Sequence, residues 1–296
     1  MQIKINSYGS KDEEQLMQLL KLCSEDDVLL HIVNSARLKF AYSAIIDDKL
    51  VGILASWKSS FHPYCTYFRI LGNPLYNSLN IEEQLLSKVK ELKPEDFPLQ
   101  TSAWETSNNL INIYTNNGFK EIRRTYLPTL EVSNLGEYNL NIRNNYQIKT
   151  LEEVLSDEMF MEELTLLVKR IYEQTHLVNP VADINLDKWQ ELILDDVVQN
   201  GSYIYVDENE NNIMAYAFLH ESDKSDSLDL GWVGAIDKEH KQLIPQLVLN
   251  QIEYANKHNF HFIMGEFDTT DEYAMEVLNH FPFAPSPTWI TFQKSN

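Results

Sequence analysis

The same order of predicted elements occurs twice in this chain, and that repetition limits its fold more than any other feature. In the first half, two apolar segments flank a turn at Asp47 and Asp48, and in the second half two similar segments flank residues 208–212. Alternating apolar residues on both sides of a polar turn are typical of a β-hairpin. The hairpin strands are predicted at Phe40–Ile46, Leu50–Trp57, Tyr203–Asp207 and Ile213–His220. Because the hairpins occupy corresponding places, we predict two α/β domains rather than one large mixed domain.

The remaining elements follow the same plan in each half, judged from apolar residues at strand or helix spacing. In the first half we predict strands Gln2–Tyr8, Tyr64–Leu71, Leu99–Trp104 and Lys120–Val132, and helices Lys11–Cys23, Ile81–Leu92 and Asn108–Asn116. In the second half we predict strands Tyr146–Thr150, Leu228–Ile236, Phe260–Phe267 and Thr288–Gln293, and helices Glu158–Gln174, Leu186–Val197, Ile244–Ala255 and Asp271–His280. The predicted domains are therefore 1–132 and 146–296, joined by a polar linker at 133–145.

Composition favours a soluble protein of a reducing cytoplasm. Hydrophobic residues make up 44% of the 296 residues, which is enough for a sizeable core. The N-terminal sequence MQIKINSYGS lacks the apolar stretch of a signal peptide, and no apolar run reaches the roughly 18 residues of a membrane helix. The two cysteines, Cys23 and Cys65, are too few for a disulfide framework or a thiolate zinc site.

Charge is distributed very unevenly between the halves. Residues 1–140 contain 14 Lys and Arg against 17 Asp and Glu, a net charge of −3, whereas residues 141–296 contain 10 against 27, a net charge of −17. Such an acidic half repels phosphate backbones, so we expect no nucleic-acid partner. It attracts cations such as amines, although an acidic surface that only aids solubility explains the charge equally well.

A helix end in the first half resembles that of a known enzyme family. In the GCN5-related N-acetyltransferases (GNAT family), a late helix has the pattern Asn-x-x-Ala-x-x-x-Tyr-x-x-x-Gly-Phe. The run from Ser107 to Glu121 matches it at Tyr114, Gly118 and Phe119, and departs from it where Ser107 and Leu110 replace Asn and Ala.

The corresponding segment of the second half, Asp271–Phe283, resembles the same pattern less closely. Ala274 and Phe283 match, whereas Leu278 replaces the tyrosine and Pro282 replaces the glycine. Together with the repeated element order, the resemblance implies two tandem GNAT-like acyl-CoA N-acyltransferase domains, each a mixed, mostly antiparallel sheet flanked by helices. It also implies acetyl-CoA as co-substrate, with its pantetheine arm in the gap between two diverging strands.

The family's pyrophosphate loop, Arg/Gln-x-x-Gly-x-Gly/Ala, corresponds here to His240–Pro245. His240 occupies the Arg/Gln position, but Leu243 and Pro245 replace glycines that allow the backbone to approach a phosphate closely. The first half has no basic residue at this place, and Glu82 and Glu83 would repel a phosphate. The resemblance therefore favours the second half as the acetyl-CoA site and a degenerate first half, and a proline-bearing loop is also compatible with neither half binding it. The implied cofactor-binding residues are Val233, Gly234, Ala235, His240, Lys241, Gln242, Leu243 and Ile244.

Glu266 and Asp268 are the candidates for handling the proton of an attacking amine. They stand at i and i+2 of a predicted strand, so both point to one face, and either carboxylate can bind or deprotonate a cationic amine. The alternatives are a helix cap for Asp268 and a solvated strand end for Glu266. The resemblance gives Tyr114 the position of the general acid, for which packing is the alternative. It also places Asp229 and Trp232 at the substrate pocket, although Trp232 also suits the core.

These residues predict an acetyl-CoA-dependent N-acetyltransferase that acts on a small, cationic primary amine by direct attack in a ternary complex. The rival hypothesis is a non-catalytic tandem GNAT-like module that binds a ligand or a protein. The eight histidines form no HExxH or other paired ligand spacing, so we expect no metal.

Overall fold

The computed structural model describes residues 2–9, 12–89, 96–134, 146–207 and 212–295. The chain forms two compact units. Unit 1 consists of Met1–Ile122, Val178–Ala182 and Ile290–Asn296, and unit 2 consists of Arg123–Leu177 and Asp183–Trp289. Both units are mixed α/β structures, as the doubled element order predicts. Of the predicted linker 133–145, residues 135–145 lie outside the described residues, as do residues 208–211 of the second predicted turn and residues 90–92 of a predicted helix.

Most of the predicted elements are present, with boundaries that shift by a few residues. The strands are β1 (Lys4–Ser7), β2 (Leu38–Ile46), β3 (Lys49–Lys58), β4 (Thr66–Gly72), β5 (Leu99–Trp104), β6 (Lys120–Tyr126), β7 (Thr129–Glu131), β8 (Tyr146–Thr150), β9 (Tyr203–Asp207), β10 (Ile213–Glu221), β11 (Ser227–Ala235), β12 (Phe262–Met264), β13 (Phe267–Asp268) and β14 (Thr288–Lys294). The helices are α1 (Glu13–Leu22), α2 (Val28–Val33), α3 (Ile81–Val89), α4 (Asn108–Asn116), α5 (Leu151–Val154), α6 (Glu158–Thr175), α7 (Leu186–Leu194), α8 (Ile244–Lys257) and α9 (Glu272–His280).

The sheet of unit 1 has the order β1-β2-β3-β4-β5, followed by the part of β14 that belongs to this unit. Asp47 and Asp48 join β2 to β3 with φ angles of 46° and 62°, the left-handed conformation that a tight hairpin turn requires. Successive residues of β3 face opposite sides of the sheet, so Ile53 packs with α1 and Leu54 packs with α3. The turn predicted at these two aspartates is therefore confirmed.

The sheet of unit 2 has the order β7-β12-β11-β10-β9-β8, in which only β11 and β12 are parallel neighbours. Asp157 caps helix α6, because its carboxylate accepts a hydrogen bond from the Phe160 amide, and Asn185 caps α7 by accepting one from the Lys188 amide. Apolar residues at helical spacing on α6 and α8 are buried against this sheet, which gives unit 2 its own core.

Two predicted strands are each divided in two. The region Lys120–Val132 breaks at Leu127 and Pro128, and the residues after the break, β7, pair with β12 in unit 2. Proline has no amide hydrogen and cannot continue the ladder, which accounts for the break. The predicted strand Phe260–Phe267 ends at Met264, and Phe267 and Asp268 pair instead with Tyr126 and Thr125 of β6.

Candidate functional site

The strands β11 and β12 of unit 2 separate shortly after they meet. They pair only from Ser227 opposite Phe262 to Asp229 opposite Met264, and the rest of β11 is paired only on its β10 side among the described residues. An unpaired strand edge presents backbone N–H and C=O groups in a row. The segment that contains the predicted residues Val233, Gly234 and Ala235 can therefore bind an extended ligand through its backbone.

A β-bulge lies at the point where β11 loses its second neighbour. Ala217 lies opposite Val233 but Leu219 lies opposite Leu230, so β11 has one extra residue at Gly231 and Trp232. Bulges re-aim side chains and are common next to active sites.

The diverging strands of unit 1, β4 and β5, have no such bulge. There β4 and β5 pair only at Thr66 and Tyr67, yet β4 keeps a regular register with β3 along its whole length. The bulge thus distinguishes unit 2 from unit 1.

The loop after β11 uses part of its own hydrogen-bonding capacity. Asp237 accepts hydrogen bonds from the amides of Glu239 (2.9 Å) and His240 (3.1 Å), and its Oδ1 lies 2.7 Å from the His240 imidazole Nδ1. The hydrogen bond with His240 lowers the pKa of Asp237. An exposed carboxylate therefore already occupies two amides at the place where the sequence predicts a pyrophosphate.

The lysines of this loop are paired with helix α9. Lys238 forms an ion pair with Glu272, and Lys241 lies 3.3 Å from Glu276. The 3-10 turn that holds both lysines, Lys238–Leu243, leads directly into α8, and the amide of Ile244 donates to Lys241. Of the other predicted loop residues, Gln242 is exposed, whereas Leu243 and Ile244 are buried. Sequence reasoning missed Asp237 and Lys238, although an aspartate just before a short polar turn is a usual Asx-turn signal.

The two candidate carboxylates, Glu266 and Asp268, have different surroundings. Asp268 lies 3.0 Å from Arg123 and also accepts a hydrogen bond from Thr125, so it is held in place. Glu266 is exposed and has no hydrogen bond or ion pair within the described part of the chain. Nearby protein atoms raise the pKa of Glu266 by desolvation, the charge of Asp268 raises it further, and Arg123 opposes both. Of the two, only Glu266 is open to an incoming amine.

The helix cap that the sequence also allows at Asp268 belongs to a different residue. Asp271 accepts hydrogen bonds from the amides of Tyr273 (2.9 Å) and Ala274 (3.1 Å) at the start of α9. Burial raises the pKa of Asp271 to about 6, although these two amides lower it.

Aromatic side chains surround the predicted substrate residue Trp232. Its ring centroid lies 5.1 Å from that of Tyr172 and 6.0 Å from that of Trp189, and His176 stacks on Tyr172 at 4.0 Å. Trp232 is only partly buried. Asp229, the other predicted substrate residue, has a buried Oδ1 that finds no hydrogen-bond partner among the described residues.

Tyr114 lies in unit 1 and is fully buried among Phe68, Phe119 and Phe292. Its hydroxyl is 3.5 Å from the Thr101 hydroxyl, and burial raises the pKa of Tyr114 to about 12. The hydroxyl is therefore closed to solvent in this structure.

Metal-ligand clusters and membrane-spanning helices are both absent from the described residues. No group of three or more His, Cys, Asp or Glu side chains in that part of the chain is arranged to hold a metal ion. None of its helices has both the length and the apolar composition needed to cross a membrane.

The sequence matches no protein-family model and no curated protein, whereas the structure matches many solved ones. One is a GCN5-related N-acetyltransferase from Sphaerobacter thermophilus, with a TM-score of 0.64 and 10% identity over 99% of this chain and 95% of that one. A tandem GNAT protein from the clavulanic acid biosynthesis pathway has a TM-score of 0.63 and 12% identity over 99% and 98%. A GNAT-family acetyltransferase from Colwellia psychrerythraea has a TM-score of 0.54 and 11% identity over 98% and 99%. The chain therefore has the fold of the GCN5-related N-acetyltransferases in its tandem, two-domain form.

Proposed function

We propose that unit 2 is an acetyl-CoA-dependent N-acetyltransferase that acts on a small, cationic primary amine. The observation that carries this proposal is the open, bulged edge of β11 with the unpartnered carboxylate of Glu266 beyond the end of β12. The fold supports acyl transfer from a CoA thioester in general, and the charge of −17 over residues 141–296 favours a cationic acceptor.

In this proposal the pantetheine arm lies along Val233, Gly234 and Ala235 and forms hydrogen bonds with their backbone. The pyrophosphate lies beside the loop, where Lys238 and Lys241 exchange their carboxylate partners on α9 for phosphate oxygens. Gln242, which is exposed, contributes a further donor, and His240 adds positive charge when it is protonated.

Glu266 acts as the general base. Its raised pKa makes Glu266 a stronger base than an ordinary carboxylate, and the negative charge of Asp268 contributes to that rise. Glu266 first takes a proton from the ammonium form of the acceptor and passes it to solvent, which leaves a neutral amine with a free lone pair. The amine nitrogen then forms a bond to the thioester carbonyl carbon, the carbon–sulfur bond breaks, and Glu266 takes the second proton that the nitrogen loses. The thiolate receives its proton from solvent. Tyr114 has no part in this scheme because it is buried in unit 1.

Titration calorimetry with acetyl-CoA tests the binding part of the proposal. We expect saturable binding that weakens by about tenfold or more when Lys238 and Lys241 are both changed to alanine, because two charge-assisted contacts are lost. Lys257→Ala is the matched control, since this lysine is exposed at the far end of the same helix α8. Absence of binding by the wild-type protein at millimolar acetyl-CoA would refute the proposal.

A second candidate function, a non-catalytic ligand-binding module, is favoured by one observation. Asp237 already occupies the amides of Glu239 and His240, so the loop has fewer free donors for a pyrophosphate. Release of free CoA thiol from acetyl-CoA in the presence of mixed primary amines separates the two candidates. An enzyme gives amine-dependent release, whereas a binding module gives none even when it binds the amine.

A further inference from the structure

We infer that the acceptor of unit 2 is an unbranched diamine, whose second ammonium group binds Asp229 while its reacting amine lies at Glu266. This inference rests on the proposed function, and it narrows the acceptor from any small cation to one with two amino groups. The observation behind it is the buried Oδ1 atom of Asp229, which has no hydrogen-bond partner among the described residues.

The Oδ1 atom of Asp229 is buried and has no hydrogen-bond partner, and no Lys, Arg or His of the described residues forms an ion pair with this carboxylate. A buried carboxylate oxygen without a partner costs folding free energy, so proteins rarely keep one. An ammonium group would supply both the missing hydrogen bond and the missing countercharge. The position thus has the properties of a cation subsite.

Strand register places Asp229 on the same face as Glu266. Asp229 lies opposite His220 on β10 and opposite Met264 on β12, and directly opposed residues share a face of the sheet. Glu266 follows Met264 by two residues, which returns its side chain to that face. The ring of Phe267 lies on the other face, over Gly265, where a methyl group would come within 2.3 Å of it. Side chains therefore alternate between the two faces from Met264 to Phe267.

The separation of Asp229 and Glu266 sets the length of the ligand. Two residues along an extended strand and one step across to a paired strand span about 8 Å between Cα atoms, and the divergence of β11 from β12 after Met264 makes this a minimum. An extended chain advances roughly 1.2 Å per covalent bond, so about six or seven bonds connect two amino groups at such a distance. Unbranched diamines with about five or six carbons have this length.

The surroundings of Asp229 also suit a cation. The bulge brings Gly231 under the His220 ring, where a methyl group would lie 2.3 Å from Nε2, and places Trp232 next in the strand. An indole face attracts an ammonium group, and this attraction grows when water is excluded. The net negative charge of residues 141–296 also attracts each of the two ammonium groups of a diamine.

The test measures amine binding by titration calorimetry without any acyl-CoA. The probes are unbranched diamines of five and six carbons, compared with n-pentylamine, which has a similar length but only one amino group. We expect the wild-type protein to bind a diamine at least about tenfold more tightly than n-pentylamine. Asp229→Asn should abolish this preference.

Two further measurements separate ligand binding from a structural role. Asp229→Asn should unfold at the same temperature as the wild type or higher without ligand, because it removes the charge from a partly buried carboxylate whose Oδ1 has no hydrogen-bond partner among the described residues. Asp223→Asn, which removes the same charge from an exposed position, should keep the diamine preference.

Equal affinity for diamine and monoamine, or a preference that persists in Asp229→Asn, would overturn the inference. Diamine binding without acetyl transfer would refute only the proposed function. Equal rates of acetyl transfer to both amines would refute only the diamine assignment.

Discussion

Asp271 caps α9 at the expense of stability, and replacing it with asparagine measures that cost. The side chain of Asn can accept the same hydrogen bonds from the amides of Tyr273 and Ala274, and Asn and Asp are similarly good helix caps. The change therefore keeps the cap and removes the buried negative charge. We expect Asp271→Asn to raise the free energy of unfolding at neutral pH.

The size of the effect follows from the pKa of Asp271, which burial raises from 3.8 to about 6. The folded state binds this proton more tightly than the unfolded state, so above pH 6 the ionised carboxylate costs about 3 kcal/mol. This pKa already includes the hydrogen bonds from the amides at the start of α9. The expected gain is therefore about 3 kcal/mol above pH 6, and it disappears as the pH falls below 3.8, where both states become protonated.

Urea denaturation of both proteins at about pH 8 and about pH 5 measures this difference. The matched control is Asp157→Asn, which alters an exposed aspartate that caps α6 in the same way. The control should change stability by less than about 0.5 kcal/mol at either pH. If Asp271→Asn were less stable than the wild type at both pH values, or gained equally at both, burial of the charge would not be the cause.

Three more predictions concern the same unit. Glu266→Gln should lower kcat/KM for acetyl transfer about 10²–10⁴-fold, and the wild-type rate should fall as the pH falls through the raised pKa of Glu266, because only the ionised form accepts a proton. Asp268→Asn should move that fall to lower pH, because the Asp268 charge raises the pKa of Glu266; an unmoved pH profile would contradict this. Gly234→Ala should destabilise the protein by about 1–3 kcal/mol, because its methyl group would lie 2.5 Å from Ile171 Cδ1 and 2.7 Å from the Tyr216 ring. Ile171→Val removes one of these clashes, so a double-mutant cycle by urea denaturation should show the two changes to be less than additive.

The sequence predicts the elements of the fold well where local periodicity is strong. Helix α4 at Asn108–Asn116, strand β5 at Leu99–Trp104 and strand β8 at Tyr146–Thr150 have the predicted boundaries. The short helices α2 and α5 escape prediction because a single turn or two carries little periodicity, and such helices depend on tertiary packing.

The pairing of the last strand in each half is not predictable from local pattern. β7 pairs in unit 2, and Ile290–Lys294 of β14 belong to unit 1, where Thr291 lies 3.2 Å from Ser102. The alternation of apolar residues specifies which face of a strand is buried but not which strand lies beside it. The repeated order of elements therefore predicts two α/β units, but it does not predict which strands β7 and β14 lie beside.

The candidate site shows the same division between local and non-local information. The i, i+2 spacing of Glu266 and Asp268 predicts that both side chains point to one face, and the charge of Asp268 raises the pKa of Glu266. The pairing of Asp268 with Arg123 depends on residues 145 positions apart, and the unpartnered Oδ1 of Asp229 depends on burial by distant strands. Neither follows from neighbouring sequence.

The membership of Ile290–Asn296 in unit 1 has a consequence for how this protein is made. During synthesis the first five strands leave the ribosome long before the strand that completes their sheet, and the hydrogen bond between the hydroxyls of Ser102 and Thr291 links residues 189 positions apart. Such a contact forms late, because the entropy of closing a long loop must be overcome first. Unit 1 therefore stays incomplete, with an open sheet edge exposed to aggregation, until Ile290–Asn296 leave the ribosome.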